Sequence, residues 1–318
     1  MRKVLITGIA GFAGSHLAER LAGRFEVWGL RIDANLSNLE GIKGLSLVEC
    51  DMTDYGSLSS AVERIKPDAV YHLAGQSLPS VSFKHPGETL RTNIFSTLNL
   101  FEALSALSPE TVVLNIGSAD EYGEVREEDL PVDEETELRP LNPYAVSKVT
   151  QDLLAFQYHK SKGLKIVRAR PFNHIGGRQA PAFVASEFAK RIAEIEAGIA
   201  DGNTLTVGNL DVAKDFLDVR DVVAAYELLV EKGVHGEVYN ICSGTATRIR
   251  EIADKLISFS TRRIEIAQDP SKKRPTDTLA IYGDNSRVRA LGWSPERSLD
   301  ETLKDLLDYW RGRVRRSS

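Results

Sequence analysis

Short apolar runs alternate with longer segments of helical periodicity through the first half of the chain. The runs that predict strands span residues 4–6, 25–30, 46–49, 69–73, 112–116 and 165–169. The segments that predict helices span residues 12–22, 57–65, 88–107 and 143–162. Nearly continuous apolar strands that alternate with helices are typical of a parallel sheet covered on both faces. The pattern therefore predicts an α/β fold with a doubly wound parallel sheet.

After about residue 171 this alternation breaks down. Helices are predicted at residues 182–197, 219–231, 249–258 and 299–311, with proline, glycine and short segments between them. No flexible linker, low-complexity segment or repeat separates the two halves. We therefore expect a core formed by residues 1–170 and a smaller α/β part formed mainly by residues 171–318, interleaved with the core.

Composition narrows the class of protein. The 318 residues are 42% hydrophobic and carry a formal net charge of -5. That charge gives no electrostatic reason to expect a nucleic-acid partner, and no apolar run approaches membrane-spanning length. Cys50 and Cys242 are too few and too far apart for a disulfide framework or a metal site. A reducing cytoplasm is therefore the expected location, and no metal is expected.

Three glycines, Gly8, Gly11 and Gly14, follow the first predicted strand and open the first predicted helix. Their spacing permits a tight turn, a close approach of the backbone to a pyrophosphate, and close packing of helix on strand. The first helical residues, Phe12 and Ala13, would then present the helix N-terminus to the phosphates. A glycine-rich turn without a ligand is the alternative, but its position at the start of a βαβ unit favours a dinucleotide site.

The end of the second predicted strand indicates which dinucleotide is bound. Arg31 stands where an acidic residue would bind the ribose hydroxyls of NAD, and a guanidinium suits the 2′-phosphate of NADP instead. Asp33 lies close by, so NADP(H) is favoured and NAD(H) is the alternative. Asp51 and Met52, after the third strand, are candidates for the adenine contact; an ordinary helix cap is the competing interpretation.

Tyr144 and Lys148 are four residues apart and so lie one turn apart on the same face of a helix. The ammonium of Lys148 would stabilise a phenolate and lower the pKa of Tyr144 towards the working pH. Such a phenol could exchange a proton with an alcohol or a sugar carbon. The pair occurs by chance in many helices, so its meaning depends on the motifs around it.

Four motifs occur in order: the glycine triplet, His72-Leu73-Ala74-Gly75, the serine of Gly117-Ser118, and Tyr144-x-x-x-Lys148. Together they resemble the extended short-chain dehydrogenase/reductase family, and the resemblance covers essentially the whole chain. It implies a Rossmann domain for residues 1–170, a small substrate-binding domain for residues 171–318, and an enzyme that acts on a nucleotide sugar. Gly75 replaces the alanine that usually ends its motif, which is a mild departure.

The resemblance also implies a role for each matched residue. Ser118 would hydrogen-bond the substrate oxygen, Tyr144 would exchange its proton, and Lys148 would hold the nicotinamide ribose. The residues implied to complete the cofactor site are Leu73, Ala74, Gly75 and Pro171. The residues implied to bind substrate are Asn173, Lys214 and Arg274 at the diphosphate, and Ser77, Ser82 and Asn93 beside the sugar. For the two serines of the second group, a hydroxyl that caps the backbone is equally expected.

The segment after Ser118 bears on which reaction is catalysed. In the family, dehydration needs a base, usually a glutamate two residues beyond the active-site serine or threonine. Here Ala119 cannot exchange a proton, and Asp120, the remaining candidate base, is one methylene shorter. Glu121 would point to the opposite face if the backbone is extended.

The second half of the chain is most similar to family members that reduce GDP-4-keto-6-deoxy-mannose at C4 with NADPH. GDP-mannose 4,6-dehydratase and nucleotide-sugar 4-epimerase activities are the alternatives, and a non-catalytic dinucleotide-sensing protein is the alternative of another class. Apolar stripes on the helices predicted at residues 88–107 and 143–162 fit a homodimer through a four-helix bundle. Burial of these stripes within a monomer is the competing interpretation.

Overall fold

The computed structural model describes residues 2–32, 35–269 and 280–317, with side chains as far as Arg315. Asp33 and Arg274, both singled out from the sequence, lie outside these ranges. Within the described residues a seven-stranded parallel sheet forms the centre of the molecule, in the order β10-β6-β5-β4-β1-β2-β3. Its strands are β1 Lys3–Thr7, β2 Glu26–Arg31, β3 Leu45–Glu49, β4 Ala69–His72, β5 Val112–Ile116, β6 Lys165–Pro171 and β10 Val238–Ile241.

The strand order reverses beside β1, because the chain adds β2 and β3 on one side and returns to add β4 on the other. This reversal is the topological switch point at which doubly wound sheets bind ligands, beyond the carboxyl ends of their strands. The predicted fold class is therefore confirmed. The glycine triplet follows β1 and stands at this switch point.

Helices cover both faces of the sheet. The helices of the described residues are α1 Phe12–Leu21, α2 Tyr55–Ile65, α3 Pro79–Lys84, α4 Pro86–Leu107, α5 Pro143–Lys162, α6 Val184–Ala197, α7 Val219–Lys232, α8 Ile249–Ser258, α9 Ser286–Ala290 and α10 Leu299–Ser317. One apolar core lies between the sheet and α1 with α7, and a second lies between the sheet and α2, α4 and α5. The sequence pattern predicted most of these bounds to within two residues.

A third apolar core joins α6, α8 and α10 beyond the carboxyl edge of the sheet. It is accompanied by short strands: β7 Asn173–Ile175, β8 Thr204–Val207, β9 Ala213–Asp218, β11 Ala246–Arg248, β12 Glu265–Gln268 and β13 Ala280–Ile281. Strand β9 pairs with β7, β11 and β13, and β8 pairs with β12. These elements form the smaller α/β part that the second half of the sequence predicts.

Strand β10 was not predicted, although it completes the central sheet by pairing with β6. It has four residues, and Asn240 interrupts its apolar pattern. The Asn240 side chain is buried because Tyr122 donates to its Oδ1 at 2.7 Å and its Nδ2 donates to the Val132 carbonyl at 3.1 Å. The polar residue in this strand therefore depends on hydrogen-bond partners from distant parts of the chain, which the sequence does not reveal. The division near residue 170 stays a prediction, with α7 and β10 contributing to the first part.

Candidate active site

The turn after β1 has the geometry of a phosphate-binding turn. A Cβ on Gly14 would lie 2.2 Å from the Gly8 carbonyl oxygen, so only glycine allows the helix to start this close to the strand. Gly11 occupies the N-cap of α1 and supplies no side-chain acceptor for the first turn. The N–H groups there point outward without an intrahelical partner, which is the arrangement that binds anions. The predicted pyrophosphate cradle at Gly8, Gly11, Phe12, Ala13 and Gly14 therefore fits a dinucleotide.

One wall of this cradle comes from the second half of the chain. The ring of Phe12 stacks on His174 with centroids 5.6 Å apart and planes 11° apart. His174 is anchored because its Nδ1 lies 2.9 Å from the Phe172 carbonyl oxygen, and burial lowers the pKa of its imidazole. Pro171, a predicted cofactor neighbour, ends β6 just before this segment. The glycine turn and the residues after β6 therefore form one continuous surface.

The predicted ribose and adenine contacts lie at the ends of β2 and β3. Arg31 forms an ion pair with Glu49 at 3.0 Å, and its side chain remains 26% exposed. The carboxylate of Asp51 accepts from the N–H and the hydroxyl of Thr53, at 2.9 and 2.7 Å. Asp51 thus fixes the turn before α2, but the helix cap of the competing interpretation is Asp54, whose carboxylate accepts from the N–H groups of Gly56 and Ser57. Met52 is buried. A contact of Asp51 or Met52 with adenine stays a prediction.

Ser118, Tyr144 and Lys148 are brought together at the carboxyl end of β5. Ser118 follows β5 directly, and Tyr144 and Lys148 lie in the first two turns of α5. The side chain of Ser118 lies close enough to the phenol of Tyr144 to lower its pKa. The ammonium of Lys148 donates to the Ile116 carbonyl at 2.8 Å, which anchors it to β5. The three side chains that the motifs single out therefore share one site.

Their charge states differ from the expectation drawn from sequence. Burial, together with the field of Asp120, raises the pKa of Tyr144, although Ser118 opposes this change. Burial lowers the pKa of Lys148 to about 8, and Glu121 opposes that change. The expected lowering of the Tyr144 pKa is thus wrong for this structure, because burial of the phenol and the negative charges of Asp120 and Glu121 all disfavour a phenolate. Tyr144 holds its proton at neutral pH.

The segment after Ser118 is also not extended. Residues Ala119–Glu121 form a 3-10 turn capped by Ser118, whose hydroxyl accepts from the Asp120 N–H at 3.1 Å. Glu121 therefore turns inward, where it is fully buried against Arg170 at 3.0 Å. Asp120 stays close enough to Tyr144 to act on its pKa. The expectation that Glu121 points to an opposite strand face is wrong, because the turn gives it a different direction.

The residues predicted beside the sugar have different surroundings. Asn93 is buried, and its amide accepts from Gln76 N–H at 2.7 Å and donates to Ser147 Oγ at 2.8 Å. Ser82 is buried and donates to the Pro79 carbonyl at 2.8 Å, as the capping interpretation predicts. Ser77 is exposed in the loop after Gly75. Asn93 thus fixes that loop on α5, and direct contact of these residues with substrate stays a prediction.

The predicted diphosphate contacts lie on adjacent strands of the smaller part. Asn173 begins β7, which pairs with the strand that carries Lys214, and its amide reaches the Asp215 carbonyl at 3.4 Å. Asn173 remains exposed and Lys214 is half-buried. Leu73 and Ala74 continue from β4, and the Ala74 N–H donates to Thr7 Oγ1 at 3.0 Å. The structure therefore places Asn173 and Lys214 on paired strands of the smaller part, and contact of these residues with cofactor or substrate stays a prediction.

The sequence did not reveal a layer of buried polar groups beneath the site. His72 Nδ1 lies 2.9 Å from Thr7 Oγ1, and His72 Nε2 lies 2.8 Å from Thr97 Oγ1. Burial, and then Lys148, lower the pKa of this imidazole to about 3. Arg170 was equally unassigned, although an arginine that ends an apolar strand requires a buried carboxylate partner. That requirement is the signal from which Glu121 could have been inferred.

The structure describes residues 2–32, 35–269 and 280–317 of the chain. Within these ranges, no three side chains of histidine, cysteine, aspartate or glutamate are grouped as metal ligands. No helix in the same ranges is both long enough and apolar enough to cross a membrane.

The fold and this site define a dinucleotide-dependent oxidoreductase of the extended short-chain dehydrogenase/reductase class. Residues 5–306 match the family model described as GDP-mannose 4,6 dehydratase, and the chain belongs to that family. It is 39% identical over 315 residues to the GDP-6-deoxy-D-mannose reductase of Pseudomonas aeruginosa, with 99% of each chain covered. The resemblance to a short-chain dehydrogenase/reductase is thus confirmed.

Solved structures agree with this assignment. The chain superimposes on RMD from Pseudomonas aeruginosa complexed with NADPH with a TM-score of 0.87 and 37% identity, covering 99% of this chain and 100% of that one. It also superimposes on the UDP-glucose 4-epimerase of Thermotoga maritima with UDP-glucose, with a TM-score of 0.90 and 26% identity over 98% and 99% of the chains. The common fold therefore supports several reactions, and the choice among them depends on the site.

Proposed function

We propose that this protein reduces the 4-keto group of GDP-4-keto-6-deoxy-mannose with NADPH. The observation that carries the proposal is that the phenol of Tyr144 is buried beside Ser118 at the carboxyl end of β5, and burial raises its pKa so that it keeps its proton at neutral pH. Reduction of a ketone needs a proton donor beside the oxygen that becomes the hydroxyl, and Tyr144 holds the proton that this step consumes. The similarity to a reductase from Pseudomonas aeruginosa supports the same reaction.

Each residue of the site then has a separate task. The nicotinamide cofactor supplies the hydride when bound. Ser118 donates a hydrogen bond to the keto oxygen, Tyr144 delivers the proton to that oxygen, and Lys148 supplies a nearby positive charge as negative charge develops. The glycine turn holds the pyrophosphate, and Arg31 at the end of β2 would hold the 2′-phosphate, which favours NADP(H) over NAD(H).

The substrate diphosphate would lie against strands β7 and β9 of the smaller part. Asn173 offers an exposed amide and Lys214 a cationic side chain on the neighbouring strand. Arg274, outside the described residues, is proposed as the third group on sequence grounds. A lysine at position 214 provides a point charge, where arginine would provide a fork with two donors.

Dehydration of GDP-mannose is the competing reaction, since the matched family model carries that name. Dehydration requires a base that removes the C5 proton. Asp120 is the carboxylate beside Tyr144 in this site, and it is one methylene shorter than the glutamate that relatives use. We therefore expect slow or undetectable dehydration, because a displacement of about 1 Å can cost on the order of a hundredfold in rate.

One experiment separates the two reactions. The protein is incubated in heavy water either with GDP-mannose or with GDP-4-keto-6-deoxy-mannose and NADPH, and the products are analysed by mass spectrometry. Oxidation of NADPH with formation of the 6-deoxy alcohol supports reduction. Efficient dehydration of GDP-mannose, with deuterium at C5 and loss of both in Asp120→Asn, would instead make the protein a dehydratase.

A homodimer is part of the proposal. Helices α4 and α5 carry large apolar side chains that remain exposed, among them Phe95 at 50% and Leu153 at 57%. Val146, Leu153 and Phe156 recur at helical spacing along α5, so they share a face. A second copy of the chain that packs the same two helices against this face would bury it in a four-helix bundle.

The free cysteines, Cys50 and Cys242, fit the proposed cytoplasmic location.

A further inference from the structure

Glu121 is a fully buried residue, and its carboxylate contacts the backbone N–H of the active-site residue Ser118. Its Oε1 accepts from the Ser118 N–H at 2.8 Å, and its Oε2 accepts from Arg170 Nε at 3.0 Å. Each carboxylate oxygen therefore has one donor. Both donors belong to the carboxyl ends of neighbouring strands, since Ser118 follows β5 and Arg170 lies in β6.

Arg170 is itself held from the opposite side. Its Nη2 donates to the Asp152 carboxylate at 2.9 Å, and Asp152 lies on α5, the helix that carries Tyr144 and Lys148. The guanidinium also reaches the Tyr122 hydroxyl at 3.2 Å. A continuous set of contacts thus runs from α5 through Arg170 and Glu121 to Ser118.

There is no room for this carboxylate to move towards the strand. A Cβ placed on Gly117 would lie only 2.1 Å from Glu121 Oε1, so the carboxylate packs directly against the backbone before Ser118. Because Glu121 is fixed on both sides, it determines the position of the Ser118 backbone and, with it, the direction of the Ser118 hydroxyl.

We propose that Glu121 is a positioning residue, which sets the Ser118 hydroxyl against Tyr144 by coupling the Ser118 backbone to Arg170 and so to α5. The inference rests on the proposed function only for its kinetic consequence. Lys148 also links α5 to β5, through the Ile116 carbonyl, whereas Glu121 bonds the Ser118 N–H itself.

The geometry requires a carboxylate rather than an amide. Glutamine has the same shape but one acceptor oxygen, so it satisfies either the Ser118 N–H or the Arg170 guanidinium and leaves the other buried donor without a partner. An unpartnered buried donor is costly, and the turn would shift to relieve it. Protonation of Glu121 would have the same effect.

Protonation is accessible because of the groups around the carboxylate. Burial, and then Asp152, raise the pKa of Glu121, while Arg170 and Lys148 oppose this change. The charged and titratable groups that face it are Lys148, Asp152 and Tyr144 on α5 and Arg170 on β6. We therefore expect the position of Ser118 to change as pH falls through the raised pKa of Glu121.

The test combines nuclear magnetic resonance with kinetics. Protein labelled with ¹⁵N-serine gives an amide signal for Ser118, assigned by its absence in Ser118→Ala. This signal should move as pH is lowered through the raised pKa of Glu121 in the wild-type protein, and in Glu121→Gln it should lie upfield of the wild-type signal when both are recorded above that pKa. The wild-type titration remains informative even if the variant does not fold, and neither measurement depends on the identity of the substrate.

For the kinetic arm, Glu121→Gln should lower kcat for the keto sugar by about tenfold to a hundredfold, while KM for NADPH stays unchanged. We expect kcat of the wild-type protein to decline on the acid side as Glu121 takes up a proton, and Glu121→Gln should lack this decline. Glu134→Gln is the matched control: Glu134 is buried, its pKa is also raised, and its carboxylate bonds Asn240 N–H at 2.7 Å rather than Ser118. This control should keep both kcat and the acid decline.

Two results would overturn the inference. A Ser118 amide signal that stays in place both through the wild-type titration and in Glu121→Gln would show that Glu121 does not position the serine. An equal loss of kcat in Glu134→Gln would show a general effect of disturbing buried charge. Failure of the wild-type protein to reduce the keto sugar would count against the proposed function alone, since the resonance measurements would still decide the role of Glu121.

Discussion

The side chain of Ser118 lies beside the phenol of Tyr144, close enough to lower its pKa, although the two residues belong to different elements of the fold. Ser118 caps the turn after β5, and Tyr144 lies in the first turn of α5, whose N-cap Asn142 accepts from the Ala145 N–H at 2.8 Å. Both positions lie at the carboxyl edge of the parallel sheet, where such sheets bind ligands. The pair is therefore set to act on one substrate oxygen.

Replacing Tyr144 by phenylalanine should abolish most turnover, because it removes the proton that reduction consumes. We expect kcat to fall by about 10² to 10⁴. The affinity for NADPH, measured by calorimetric titration, should stay near that of the wild-type protein, since the glycine turn and Lys148 remain. A rate close to wild type at the nicotinamide absorbance would reject Tyr144 as the proton donor.

Arg31→Ala should weaken binding of NADPH by about ten- to a hundredfold, the amount expected for loss of hydrogen bonds to a charged group. Binding of NADH should change little, because NADH has no 2′-phosphate. Calorimetric titration of each variant with both cofactors measures the difference. Glu49→Gln, which removes the ion-pair partner of Arg31, is the control and should not reverse the preference. Equal affinity of the wild-type protein for both cofactors would show that Arg31 does not read the ribose.

His72 should make the protein less stable in acid. Its folded pKa of about 3 lies below the unfolded value of 6.5, so the unfolded chain binds the extra proton between these pH values. Stability is then lost as pH falls below 6.5, by up to about 1.4 kcal/mol per pH unit. Urea unfolding at pH 6.5 and pH 5 should therefore show a fall of about 2 kcal/mol that His72→Gln lacks. His85→Gln, at an exposed position, is the control and should keep the wild-type pH dependence.

The dimer is tested on the exposed faces of α4 and α5. Phe95→Lys together with Leu153→Lys should convert the proposed dimer to a monomer, because two charges would be buried without partners in the proposed four-helix bundle. Sedimentation velocity or light scattering gives the mass directly. Ile199→Lys with Val234→Lys changes apolar residues that are 58% exposed elsewhere on the molecule, and should leave the dimer intact. A wild-type protein that is monomeric at micromolar concentration would contradict the proposal.

The sequence by itself determined the parallel sheet, the glycine turn and the catalytic pair, because these depend on local rules. Alternation of apolar runs with helical segments defines the layers, the glycine spacing defines a turn that no other residue tolerates at Gly14, and four residues separate Tyr144 from Lys148 by one helical turn. These features follow from backbone geometry. They do not depend on which distant residue packs against them.

The tertiary structure alone decided the charges and the distant contacts. Tyr144 gains a higher pKa because its phenol is buried near Asp120 and Glu121, and no local pattern reports how deeply a side chain is buried. Strand β10 can bury Asn240 because Tyr122 and Val132, far along the chain, provide hydrogen-bond partners for its side-chain amide. Glu121 turns inward because the 3-10 turn after Ser118 brings it to Arg170 of the next strand. Desolvation and the pairing of buried charges depend on every neighbour in space, so they appear only when the whole chain has folded.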